Sequence, residues 1–221
     1  MSELWVVLRQ GFPELVAGFL VTARIVAISL ALAVAVGTLV AALRAAPLAP
    51  LRWLGGLYVE SFRNVPLLVL CFLSFAGLRR AGVDVPPEAA ATGSLGLYTA
   101  AYVAEAIRSG VFAVARGQIE AALSLGFTYA RALQKIVLPQ AIRTVIPPIG
   151  NLIIAMIKNS AVIGVSLITI RPDLLKSARI LQNETALTEQ TFFWAAIGYL
   201  LLTIPATFIV RHLESRLVVR R

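Results

Sequence analysis

The feature that most limits what this chain can become is an apolar run from about Leu15 to Leu43 in which Arg24 is the only charged side chain. Eighteen or so residues with so little charge are enough to cross the hydrocarbon core of a bilayer as a helix. Lipid offers the backbone no hydrogen-bond partners, so a spanning segment must satisfy its own N–H and C=O groups. The run is therefore expected to be a retained first span rather than a cleaved leader, since it lacks a charged start and a small-residue cleavage site. Arg24 is expected to snorkel outward with its stem in lipid, the alternative being a place inside the bundle.

Four more apolar stretches follow, at about 53–78, 89–115, 148–170 and 191–210. Together they predict an all-α integral membrane protein of about five transmembrane helices in one domain, residues 1–221. Composition agrees: 59% of the 221 residues are hydrophobic and 14% are charged, too apolar for a soluble domain.

Polar groups interrupt these spans at a few places. Glu60, Arg63 and Asn64 stand together before Pro66, which can kink a helix because it lacks a donor. Glu60 and Arg63 are three residues apart, as are Glu105 and Arg108, so each pair shares a helix face and can neutralise itself. Both pairs read either as structural ion pairs in lipid or as substrate contacts. Lys158-Asn159-Ser160 breaks the fourth apolar stretch near its middle, and an intramembrane lysine is costly enough to be a functional candidate. The connection from Arg171 to Glu189 is long enough for a small outer cap.

The net charge is +9, from 20 Lys and Arg against 11 Asp and Glu. No basic stripe interleaved with stackable aromatics accompanies it, so no nucleic-acid partner is expected. The excess instead orients the chain in the lipid bilayer. Arg44, Arg52, Arg116, Arg131, Lys135, Arg143, Arg211, Arg216, Arg220 and Arg221 fall on one side of a five-span topology. Arg9, Arg79, Arg80, Arg171, Lys176 and Arg179 fall on the other. The richer side is expected to be cytoplasmic, with the N-terminus outside and the C-terminus inside.

Between the third and fourth stretches, EAALSLGFTYARALQKIVLP (120–139) is polar in a mostly apolar chain. On a helical wheel Ile119, Ala122, Leu123, Gly126, Ala130 and Leu133 share one side, and Glu120, Ser124, Thr128, Arg131 and Lys135 the other. This predicts an amphipathic helix at about 118–135, closed by Pro139 and the Pro147-Pro148 pair. It either lies passively on the headgroups or offers itself to a soluble partner.

The chemistry of an enzyme is missing. Lys135, Lys158 and Lys176 are the only lysines and none follows glycine, so the chain has no phosphate-binding loop for ATP. Cys71 and His212 are each the only residue of their kind, which leaves no disulfide and no metal cluster. No cofactor is expected on this chain, and any ATP must be hydrolysed elsewhere.

Glu120-Ala121-Ala122, three residues, Gly126, nine residues, Ile136, one residue and Leu138-Pro139 resemble the coupling signature of the membrane subunits of ATP-binding cassette importers. YTAAYVAEAIRSG (98–110), GQIEAA (117–122) and LPQAIR (138–143) are similar to the branch that imports polar amino acids. KNSAVIGV with the flanking GNLIIAMI looks most like glutamate-type members. The resemblance implies a type I importer permease fold and a division of labour. Two membrane subunits, the second being the same or a related chain, form the path; a dimer of cytoplasmic ATP-binding subunits carries ATP and Mg; an extracytoplasmic binding protein delivers the amino acid. It also implies that Glu120, Ala121, Ala122, Gly126, Leu138 and Pro139 couple to the ATPase. For the substrate path, Lys158, Asn159, Glu60, Arg63 and Asn64 are the candidates, because a zwitterion needs lining groups of both signs. The other function class for such midplane charges is an ion-coupled secondary transporter, although no inverted repeat is visible. A bare membrane anchor explains the spans but not the intramembrane charges.

Overall fold

The computed structural model describes residues 2–166 and 171–217. The last four positions of the expected fourth span (167–170) and the end of the basic tail (218–221) lie outside the described residues. Among the described residues eight helices follow one another: α1 (Ser2–Ala45), α2 (Ala49–Asn64), α3 (Leu67–Arg80), α4 (Pro87–Phe112), α5 (Arg116–Ser124), α6 (Tyr129–Ser166), α7 (Leu174–Thr185) and α8 (Thr188–Leu217). No strand occurs among the described residues.

Length and apolar composition qualify α1, α6 and α8 to cross a membrane, and the α2–α3 pair makes a fourth if it counts as one span. The expected continuous span over 53–78 is not formed. Val65 is extended (φ −101°, ψ 131°), as a residue before proline must be, and the axes of α2 and α3 meet at 106°. Helix α4 is less apolar, yet its 26 residues reach about 39 Å at 1.5 Å each. It runs through the middle of the bundle, where small side chains serve better than large ones.

Lipid tails are as apolar as leucine, so helices in a bilayer associate through close packing and interhelical hydrogen bonds. The principal seam joins α1 to α4. A Cβ added at Gly37 would stand 2.7 Å from Val103 Cβ and 2.9 Å from the Ala100 carbonyl oxygen, so the two backbones are as close as glycine permits. Ser29 Oγ donates to the Thr92 carbonyl at 3.0 Å across the same seam. The main core grows from it, uniting Ile25 and Ala33 of α1, Cys71 of α3, Leu95 of α4, and Met156 and Ile163 of α6.

The fourth span begins earlier than its sequence implies. Pro139, Pro147 and Pro148 lie inside α6 and do not separate an amphipathic helix from a span. A π-helical turn at Leu133–Val137 precedes Pro139, and such local adjustments let membrane helices absorb proline.

The connection after α6 does fold into a cap, α7. Leu174, Ala178 and Leu181 are buried with Val7 and Leu15 of α1 and Ala195 of α8. Asp173 starts α7 by accepting the Lys176 backbone N–H on Oδ1 at 2.8 Å, while the Leu174 N–H is taken by Thr22 Oγ1 of α1 at 3.0 Å. Asp173 is 1% exposed and its Oδ2 has no hydrogen-bond partner, so burial pushes its carboxyl up to about 6.

Two outcomes follow. Gly37→Val should force α1 and α4 apart and lower stability by about 1–3 kcal/mol, read as thermal unfolding in detergent. For Asp173, the folded protein holds the proton more tightly than the unfolded chain, so its contribution is most favourable below pH 4 and is lost as pH rises to 6. The stability of the wild type relative to Asp173→Asn should fall across that window, by up to about 3 kcal/mol, in unfolding scans at pH 4, 5, 6 and 7.

Candidate functional site: the α5 turn and the charged groups

The stretch between α4 and α6 is two helical pieces joined by a tight turn. The Phe127 N–H donates to the Ala122 carbonyl at 3.1 Å and the Gly126 N–H to the Leu123 carbonyl at 2.9 Å, which closes α5 with a Schellman motif. Gly126 takes φ +83°, the left-handed conformation that this motif needs at the residue past the cap. Thr128 then starts α6, its Oγ1 accepting the Arg131 N–H at 3.4 Å. The expected single helix over 118–135 is thus corrected to a helix, a turn and the beginning of the next span.

The turn also rearranges the faces. Ile119 packs on Val114 of the α4–α5 connection and on Val137 and Ala141 of α6, and Ala122 is buried, so one side of α5 is fixed to its own chain. Glu120 and Ala121 are exposed. So are Leu123 (44%), Leu125 (79%), Phe127 (38%) and Tyr129 (63%), which together make a polar and apolar surface turned away from the bundle. Exposed apolar groups of this kind mark an interaction surface. Of the side that the wheel gives to Ile119, Ala122, Leu123 and Leu133, Ile119 and Ala122 pack against the chain while Leu123 and Leu133 are exposed. The exposure of Leu125 and Tyr129 was missed because a single helix over 118–135 ignores the end at Gly126; glycine followed two residues later by threonine was the available signal. Leu138 and Pro139 are exposed on α6, and Leu138 borders an apolar cleft of about 410 Å³ between α4, α6 and α8.

The expected ion pair of Glu105 and Arg108 is formed, with Arg108 donating to Oε1. Arg44, at the last turn of α1, donates to the other carboxylate oxygen, so Glu105 ties α1 to α4 as well as neutralising its own helix. Nothing in local spacing points to Arg44, because the contact joins residues 61 positions apart.

Glu60 and Arg63 do not pair. Asn64 Nδ2 donates to Glu60 Oε2 at 3.1 Å, and the Arg63 guanidinium lies over the Tyr102 ring at 5.4 Å from its centre. Lys158 is exposed and Asn159 half-buried near the break of α6 at Ser160. Among the described residues no hydrogen bond or ion pair joins Lys158 or Asn159 to Glu60, Arg63 or Asn64, so one chain does not assemble these five into a single pocket. Arg24 has a side chain 63% exposed and approaches Glu88 at 4.0 Å.

Residues 33–219 match the profile described as "Binding-protein-dependent transport system inner membrane component". The chain belongs to this family. It is 41% identical over 211 residues to the "Probable glutamine ABC transporter permease protein GlnM" of Bacillus subtilis (strain 168), covering 96% of each chain. It is 37% identical over 237 residues to the "Glutamate transport system permease protein GluC" of Corynebacterium glutamicum, covering the full length of both. Among solved structures, the "Crystal structure of an amino acid ABC transporter with histidines" superimposes with a TM-score of 0.89 at 31% identity, over 96% of this chain and 98% of that one. The fold is that of a type I ABC importer permease, and membership favours the importer over an ion-coupled transporter.

In this permease Gly126→Val should strain the α5 cap by about 1–3 kcal/mol without disturbing the bundle, since nothing lies within 4 Å of an added Cβ. Amide hydrogen exchange should therefore quicken over 116–127 while the exchange of α4 stays unchanged.

Proposed function

We propose that this permease subunit moves a polar amino acid, glutamate, glutamine or a close relative, inward across the plasma (inner) membrane. The observation that carries the reading is full-length similarity to permeases named for glutamine and glutamate. ATP and Mg are bound by a dimer of separate cytoplasmic subunits, and this chain itself catalyses nothing. An extracytoplasmic binding protein delivers the substrate, and a second permease subunit, the same or a related chain, completes the path.

In this reading α4 also crosses the membrane, as the third of five spans in chain order, the N-terminus lies outside and the α5 turn and C-terminus lie in the cytoplasm. Glu120, Ala121, Ala122, Gly126, Leu138 and Pro139 form the joint with the ATPase. Ala121 presents a small exposed side chain that lets another backbone come close, and the exposed Leu125 and Tyr129 extend the contact. Ala122 and Gly126 act indirectly, by holding α5 on α6 and by setting the angle at which it ends. Closure of the ATPase pair draws these turns together and switches the spans from inward- to outward-facing, and hydrolysis reverses the change.

The substrate path is lined by Lys158, Asn159, Glu60, Arg63 and Asn64. The exposure of Lys158, Glu60, Arg63 and Asn64 on one chain supports a path completed between two permease subunits. Lys158 favours a substrate with an acidic side chain.

Ala121→Trp tests the joint, because Ala121 is exposed and the fold tolerates bulk there. Co-purified ATPase and ATP-driven glutamate uptake in vesicles supplied with binding protein should both fall about tenfold or more, with the unfolding midpoint unchanged. Full coupled uptake would overturn the assignment. Lys158→Ala should shift the competition between glutamate and glutamine toward glutamine, and an unaltered profile would remove the lysine from the path.

A further inference from the structure

Between α1, the start of α4 and the connection leading to α7 lies a hollow of about 280 Å³. Arg24, Glu88 and Arg171 line it above a floor that includes Ile25, Ile28 and Ala89. The α5 joint and the candidate path use none of these residues.

Its charge is unbalanced. Arg24 and Glu88 approach only to 4.0 Å, with side chains 63% and 44% exposed, a solvated pair that contributes little. Arg171 is exposed, and among the described residues no carboxylate pairs with it. Two guanidiniums therefore face one carboxylate, leaving a net positive site.

The hollow opens onto grease. Val16, Leu20, Arg24 and Ile28 recur every fourth residue and form one stripe of α1. Val16 is 39% exposed, Leu20 61% and Ile28 46%, so apolar surface flanks the arginine along the helix. Arg24 stands roughly 32 Å along α1 from Ala45 at 1.5 Å per residue, close to the ~30 Å thickness of a hydrocarbon core. The guanidinium is thus about one membrane thickness from the α1 end that carries Arg44.

A soluble anion would use the guanidiniums and leave the stripe bare. A phospholipid has a part for each: a phosphodiester that accepts two forked guanidiniums, and an acyl chain that lies along the stripe. Basic pockets between membrane helices bind anionic headgroups in this way. We propose that this hollow is a binding site for an anionic phospholipid, its phosphodiester held between Arg24 and Arg171 and its acyl chain running from there over Ile28 toward the middle of the membrane.

The test is native mass spectrometry of the purified full-length permease, with whatever subunits co-isolate, in detergent containing equimolar phosphatidylglycerol and phosphatidylcholine of identical acyl chains. The wild type should retain phosphatidylglycerol preferentially. Arg24→Gln and Arg171→Gln should each cut that preference about fivefold, while Arg79→Gln, at an exposed arginine outside the hollow, should leave it unchanged. Equal retention of the two lipids by the wild type would overturn the proposal without any variant. A loss in Arg79→Gln as large as in Arg24→Gln would overturn it in favour of diffuse surface charge. Displacement of the lipid by inorganic phosphate would overturn it in favour of a free-anion site.

Discussion

The seam between α1 and α4 is the contact on which the other helices depend. Where the solvent is as apolar as the side chains, two helices hold together only if their backbones come close enough for dense packing and shared hydrogen bonds. Gly37 against Val103 and the Ala100 carbonyl supplies the first, and Ser29 on the Thr92 carbonyl the second. Glu105, bridging Arg44 and Arg108, locks the end of the seam with charges that satisfy one another. On this platform α3 docks through Cys71 and Ser94, whose polar atoms are 3.2 Å apart, and α6 through Met156 and Ile163.

The groups assigned to function gather where regular helix stops. At Val65-Pro66 the chain turns sharply, and Glu60, Arg63 and Asn64 are left in the last turn of α2. At Gly126 it enters the left-handed region, and Leu125, Phe127 and Tyr129 around it are exposed. At Ser160 a turn leaves Lys158 and Asn159 at the end of a helical stretch. In a membrane each such break releases backbone groups that must be satisfied again, so a break is kept only where neighbouring structure supports it.

The two ends of the bundle are built differently. On one side, α5 is anchored by Ile119 and Ala122 and otherwise turned away from its own chain. On the other, α7 is folded back onto α1 and α8 and pinned by a buried carboxylate whose second oxygen has no partner. An energetically unfavourable group at that junction makes the cap sensitive to protonation, whereas α5 is shaped by a backbone conformation that pH does not touch.

The sequence by itself determined the class of molecule. Apolar runs too long for a soluble core dictate membrane helices, and the Glu-Ala-Ala signature with its glycine carries the family. These are local properties, set by composition and spacing within about twenty residues. Tertiary structure alone decided the rest. Arg44 reaches Glu105 because α1 and α4 are parallel neighbours whose contacts advance together from Arg24 and Glu88 to Arg44 and Glu105, and Arg63 leaves Glu60 because Tyr102 stands beside it on another helix. The α5 helix ends where it does because the carbonyls of Ala122 and Leu123 find donors past a glycine at positive φ, a closure that a helical wheel has no means to represent. Periodicity describes one helix at a time, while partners, bends and exposed faces arise only when helices compete for the same neighbours.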